Sequence, residues 1–284
     1  MGDSCDDNER EICESTLEFC NSIGLRVVKL GRTGAVARAS GLLWKRVVDA
    51  FASVYVLRCN AQHDWSRDGN VLLRVIYDAT LQLAWMLDDP KERNDRCGRF
   101  CDYLWIEKHK FRQRIDLRQT DATRQVAASP DRNEGEKELN GNLLRIGRGF
   151  LTKEGRKEWD SKNETERDAY LVSPKARYHP NWYEGANLAS LACKAGLQSE
   201  YEILHPLASG DVHTSSMSLQ QQPTFSAHRL TLWTSLLAIR ANESYADAFG
   251  IELTDVEKHW FEVAKENFFN SYAARGQCNG DTET

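Results

Sequence analysis

The sequence predicts an all-α protein. Three observations carry this expectation. Apolar residues recur with a period near 3.6 over long stretches. Only six prolines and eighteen glycines interrupt 284 residues. No run of alternating β-branched residues and no Asn-Gly hairpin marks a pair of strands. The nearest strand candidate, LRVVKL at Leu25–Leu30, is short and isolated. The expected architecture is a multi-helix, bundle-like domain with a polar insertion.

The elements follow in order. An acidic helix is expected over Ser4–Ser22, ending at Gly24. A long helix is expected over Gly34–Cys59. Gly69–Asp88 has the clearest pattern: Leu73, Ile76, Thr80, Ala84 and Leu87 form one stripe, and Asp88-Asp89-Pro90 stops it. Pro90 suits the first position of another helix, capped by Asp89 and running past Phe111. From Gln119 to Gly141 apolar residues are rare, so a polar loop with at most a short exposed helix is expected. A charged helix should resume over Leu143–Asn163. Two prolines make Ser173–Tyr183 irregular. Helices are expected at Glu184–Ala195, Ser199–Ala208, Ser226–Phe249 and Thr254–Ala274, the last opened by a Thr254/Glu257 capping box. The domain reading is an acidic N-terminal helix over residues 1–24, one helical domain over 25–272 with a flexible insertion near 119–141, and a disordered tail over 273–284.

Hydrophobic residues are 41% and charged residues 28%, enough apolar side chain for a substantial core. The formal charge is −5 and the isoelectric point about 5.9. Such a chain is not built as a general nucleic-acid binder, although a local basic patch is compatible with it. No apolar run approaches the ~20 residues a membrane helix needs. The acidic start, MGDSCDDNEREICES, has no apolar h-region, so no signal peptide is expected. The eight cysteines include no CxxC pair. They read as reduced thiols of a cytoplasmic protein, without a zinc frame. No cofactor and no metal are expected: Gly-rich phosphate loops and HExxH are absent.

Candidate chemistry gathers in two places. Arg74 and Asp78 stand at i,i+4 on the Gly69–Asp88 helix, which is apolar around much of its circumference. They can pair, although Arg before Asp is the less favourable order for the helix dipole. They read either as a partly buried ion pair that fixes packing or as an anion-binding Arg held by a carboxylate. The second place is SGDVHTSS, Ser209–Ser216. Tyr201, His205, Ser209 and His213 are spaced by four, but Pro206 and Gly210 interrupt the helix between them. A Ser209–His213 pair suits nucleophilic or acid–base chemistry. Equally, Ser209, Thr214 and Ser215 can cap helix ends while His213 satisfies them. Metal binding by His205, Asp211, His213 and His179 is a third reading, without the spacing of a known ligand frame. Arg58 and His63 match the Arg, four to six residues, His spacing of HEPN-type ribonucleases, a loose pattern expected by chance in so many Arg and His.

Two runs carry a family likeness. LLRVIYDATLQLAWMLDDP resembles L-R-x-x-x-E/D, then Y/W-x-x-x-D-P. HPNWYEGANLASLACKAGLQSEYEILHPLASGDVHTSS resembles W-x-G, a helix, then Y and S-x-x-x-H-x-S. In this order they resemble the uncharacterised bacterial domain-of-unknown-function family 5677, over about Gly34 to Ser216. The matching positions are Arg74, Asp78, Trp182, Tyr201, Ser209 and His213, with Asp78 standing where Glu is more usual. The resemblance implies that the Arg/Asp helix and the Ser/His turn share one domain and meet in space. It supplies no reaction. A pocket of Arg74, Asp78, Tyr201, Ser209 and His213 would suit phosphate or RNA. By analogy with HEPN ribonucleases alone, the enzyme reading is a defence- or stress-associated, metal-independent RNA cleavage. His213 would then be general base or acid, Arg74 would stabilise the phosphorane, and Ser209 would orient. The competing reading is a non-enzymatic scaffold or binding module whose same residues fix helix register. A homo-oligomer fits either.

Overall fold

The computed structural model describes residues 7–60, 65–118, 120, 132–183, 187–204, 226–263 and 266. All regular elements among them are helices, so the fold class is all-α as the periodicity predicts. In chain order these are α1 (Asp7–Lys29), α2 (Ala35–Asn60), α3 (Ser66–Asp88), α4 (Arg93–Arg118) and α5 (Arg132–Ile146). A 3₁₀ turn, Gly147–Phe150, leads to α6 (Lys153–Asp160) and α7 (Glu164–Val172). Then come α8 (Leu188–Lys194), α9 (helical residues 198–204), α10 (Ala227–Ala248) and α11 (helical residues 255–263). Two compact units result, residues 1–94 with 187–284, and residues 95–186.

In the first unit α1, α2 and α10 pack on one another, α3 packs on α2 and α10, and α8 packs on α3. Helix α10 is central. Leu230, Trp233, Leu236, Leu237 and Ile239 are buried, and so are Thr231, Thr234, Ser235 and Asn242. A helix buried around its circumference must lie inside the core. It tolerates polar residues there because Thr231 and Thr234 donate to carbonyls of their own helix. The predicted stripe of α3 holds: Leu73, Ile76, Thr80 and Leu87 are buried, and Ala84 lies at its edge.

Several boundaries differ from expectation. Helix α1 does not end at Gly24; it runs to Lys29 and converts most of the strand candidate Leu25–Leu30 to helix. Tertiary contacts override the glycine. The Trp44 ring lies where a Cβ on residue 24 would project, so glycine is there for close approach, not for termination. Beyond it, Arg26 donates to Glu257 Oε1 (2.6 Å) and the Glu252 carbonyl (2.9 Å), and Ser22 donates to Glu257 (2.9 Å). These bonds tie α1 to the expected Thr254/Glu257 capping box, which is present.

Pro90 does not open α4. Asp89 instead organises a turn, accepting from the Lys91 N–H on its side chain (2.8 Å) and from Glu92 and Arg93 on its carbonyl. The helix starts at Arg93, whose guanidinium donates to the carbonyls of Leu87 and Ala248 and so satisfies two helix C-termini.

In the second unit, the polar stretch Gln119–Gly141 is helical from Arg132 onward. Residues 121–131 lie outside the described residues. The helix is held by Arg112–Glu136 (2.6 Å) and Arg145–Asp102 (3.1 Å), partners on α4 that local composition does not reveal. The single helix expected at Leu143–Asn163 is instead three pieces: a 3₁₀ turn follows α5, where a Cβ on Gly147 would meet the Tyr178 hydroxyl, and Thr152 starts α6 by accepting from Gly155 N–H. Asn163 and Glu166 cap α7 reciprocally. Ser173–Tyr183 is irregular as expected, pinned by one isolated bridge, Leu151 to Tyr178. Among the described residues no helix is long and apolar enough to cross a membrane.

Candidate functional site

Helix α3 presents Asn70, Arg74, Tyr77 and Asp78 at spacings of four, three and one, which place them on one face. Arg74 Nε donates to Asp78 Oδ2 at 2.9 Å, and the two side chains are 15% and 32% exposed. Pairing therefore occurs despite the less favourable order. Around it lie groups that the sequence did not flag. Asn70 and Tyr77 are fully buried, and among the described residues neither amide atom of Asn70 nor the Tyr77 hydroxyl has a hydrogen-bond partner. Burial pushes the Tyr77 hydroxyl well above the usual phenol range. Asp78, Glu200 and Tyr201 push it the same way and Arg74 opposes them, so all four lie close enough to act on it. Glu200, itself buried, is held by Arg240 of α10 at 3.1 Å.

Of the predicted site residues, Arg74 and Asp78 pair on α3, and Tyr201 lies near enough to Tyr77 for its charge to act on it. Ser209 and His213 lie outside the described residues, as do His205, Asp211 and His63. Trp182 belongs to the other unit, where it meets Phe100 and Tyr183 edge-on at 5.3 and 5.7 Å. Among the described residues no three His, Cys, Asp or Glu side chains are grouped to hold a metal ion.

A model for a family of unknown function (DUF5677) matches residues 37–224, about two-thirds of the chain. The chain belongs to that family. No curated protein and no solved structure matches it. The DUF5677 match contains Asn70, Arg74, Tyr77, Asp78, Glu200 and Tyr201; Arg240 lies beyond it.

A second buried charge cluster in this DUF5677 protein escaped sequence reasoning. Arg58 of α2 forms an ion pair with Glu9 of α1, its Nε donating to Oε2 at 2.6 Å. His228 of α10 donates from Nδ1 to Oε1 of the same carboxylate at 2.5 Å. Glu9 and Arg58 are both buried. Burial alone would raise the Glu9 pKa, but the hydrogen bonds from His228 and Arg58 outweigh it and hold the carboxyl below its ordinary 4.5. A signal for this cluster existed in α2: Arg58 continues the buried series Val47, Phe51, Val54 at helical spacing. An arginine on an apolar stripe demands a buried acid. The acid itself lies 49 residues upstream in an acidic segment, with nothing local to single it out.

Proposed function

We propose that the α3 face of Asn70, Arg74, Tyr77 and Asp78, with Tyr201, is a ligand site, and that a phosphodiester of RNA is the substrate class that suits it best. The observation that carries this reading is the pair of fully buried polar side chains, Asn70 and Tyr77, with unused hydrogen-bonding atoms beside Arg74. Each such orphan costs about 1–3 kcal/mol, which packing alone does not select. The amide, the phenol and the guanidinium are donors of the kind that suits phosphate oxygens. Ser209 and His213, which follow Tyr201 in the chain, complete the site in this reading. His213 is general base or acid, Arg74 stabilises the charge that develops on phosphorus, and Ser209 orients the substrate.

A specific observation favours a scaffold instead. Arg74 is matched by Asp78, and Glu200 by Arg240, so the cluster is internally charge-balanced. Such a network fixes helix register without any reaction.

Two variants and a control separate these readings. Tyr77→Phe removes an unsatisfied hydroxyl, so the thermal midpoint should stay level or rise while RNA cleavage or anion binding falls at least about tenfold. His213→Ala should leave the melt unchanged and abolish cleavage. Arg74→Ala strands Asp78 and should cost about 1–4 kcal/mol of stability in either reading. A wild type that neither cleaves RNA nor binds an anion, with Tyr77→Phe destabilised, leaves only the scaffold. Growth arrest on expression, lost in His213→Ala, is the corresponding test of a defence- or stress-associated role.

A further inference from the structure

The second unit holds a separate pocket with no residue in common with the α3 cluster. Its volume is about 540 Å³, and it is lined by Glu107, Lys110, Phe111 and Arg114 of α4 with Tyr178 and Pro180. That volume falls in the range of small-molecule sites.

Its lining carries two cations, Lys110 and Arg114, against one carboxylate, Glu107. Lys110 is half-buried, and its ammonium donates to the Tyr103 hydroxyl (2.7 Å) and to the His179 carbonyl (2.6 Å), both neutral. Among the described residues no carboxylate forms an ion pair with Lys110 or with Arg114; Glu107 is near enough to favour the charged lysine but does not pair with it. Burial lowers the Lys110 pKa, and the neighbouring Arg114 charge acts in the same direction. Two cations with one nearby but unpaired carboxylate leave the pocket with a net positive charge, which suits an anion. Residues 95–186 also carry three more Lys and Arg than Asp and Glu, within a chain of net −5.

The apolar lining narrows the anion. Phe111 is 64% exposed at the pocket, an unusual position for a large aromatic ring. An exposed ring next to Lys and Arg is the arrangement that takes a base on its face and a phosphate on the cations. Glu107 disfavours a highly charged polyphosphate and can accept from a ribose hydroxyl or an exocyclic amine.

We propose that this pocket binds a nucleotide monophosphate unit, with its phosphate on Lys110 and Arg114 and its base stacked on Phe111. The unit is either a free mononucleotide or the terminal nucleotide of a single strand; the recognition chemistry is the same. The inference stands independently of the α3 reading, and its variants touch none of those residues.

The test is calorimetric titration of the full chain with adenosine 5′-monophosphate, adenosine, inorganic phosphate and an eight-nucleotide oligoadenylate. The monophosphate should bind, with adenosine and phosphate each about tenfold weaker or worse. Arg114→Gln and Phe111→Ser replace exposed side chains, so both should melt like wild type and bind the monophosphate about 5–10-fold more weakly. Lys110→Met should lose binding altogether. Tighter binding of the oligonucleotide than of the monophosphate assigns the site to a strand end; equal binding assigns it to the free nucleotide. No binding of either at millimolar concentration overturns the proposal. So does phosphate binding as strong as that of the monophosphate, unchanged in Phe111→Ser.

Discussion

Arg58→Ala should lower the stability of the first unit by about 3–5 kcal/mol, because it takes the guanidinium away from a charged, buried Glu9. The geometry behind this is the ion pair between two side chains that are 5% and 3% exposed. Surface ion pairs of the same chemistry contribute about 0–1 kcal/mol, so Lys45→Ala, which breaks the exposed Lys45–Asp49 pair, is the matched control. Urea denaturation of both variants measures the contrast. Equal midpoints would mean that the Arg58–Glu9 contact contributes no more than a solvated pair. The pH dependence follows from the same carboxyl. Its native pKa lies below 4.5, so its contribution is fully present above about pH 4.5 and is lost as pH falls through the native value. Glu9→Gln should therefore flatten the acid limb of the stability curve. An unchanged acid limb in that variant would assign the acid sensitivity to other groups.

Trp44→Ala is expected to cost a similar ~3–5 kcal/mol, for a different reason. The indole stacks on Tyr245 with centroids 5.2 Å apart and planes 14° from parallel. Its Nε1 donates to Asn242 Oδ1 at 2.8 Å, and the other end of that amide donates to the Ala238 carbonyl (2.7 Å) and to Cys20 Sγ (2.9 Å). Removing the ring takes away the platform under α1 and strands a fully buried amide oxygen. Trp44→Phe separates the two effects: it keeps a ring and loses the donor, so its cost should be about 1–3 kcal/mol. If Trp44→Phe proves as damaging as Trp44→Ala, the hydrogen bond rather than the stacking dominates at this junction.

Fold class was legible because helical periodicity is a local property, and α2 and α3 start and stop within a few residues of their expected bounds. What failed was local punctuation answered from a distance. Gly24 reads as a stop until Trp44 fills the space beside it. The Arg132–Ile146 helix reads as loop until Arg112 and Asp102 of α4 supply its partners. For the site, Arg74 and Asp78 announced themselves as charges on an apolar helix, and Tyr201 as part of a polar stripe. Asn70 and Tyr77 did not, since both are ordinary helix residues until their hydrogen bonds are counted. Glu200 was hidden by its own partner, 40 positions away on α10. The remaining pair, Ser209 and His213, falls outside the described residues, and the turn expected at Ser209–Ser216 stands as an expectation.

Cys13 and Cys20 stand on α1 with no exposed surface, and burial pushes the Cys20 thiol up to about 12. Only a thiolate attacks an alkylating reagent, so at neutral pH the docked helix is chemically silent at both positions. Cys193, exposed, is not. Iodoacetamide should therefore label Cys193 without delay and reach Cys20 only while α1 is detached. The labelling rate divided by that of an unfolded peptide gives the fraction of time the helix spends undocked. The N-terminal helix in this way carries its own stopwatch, two thiols that start to react when it lets go.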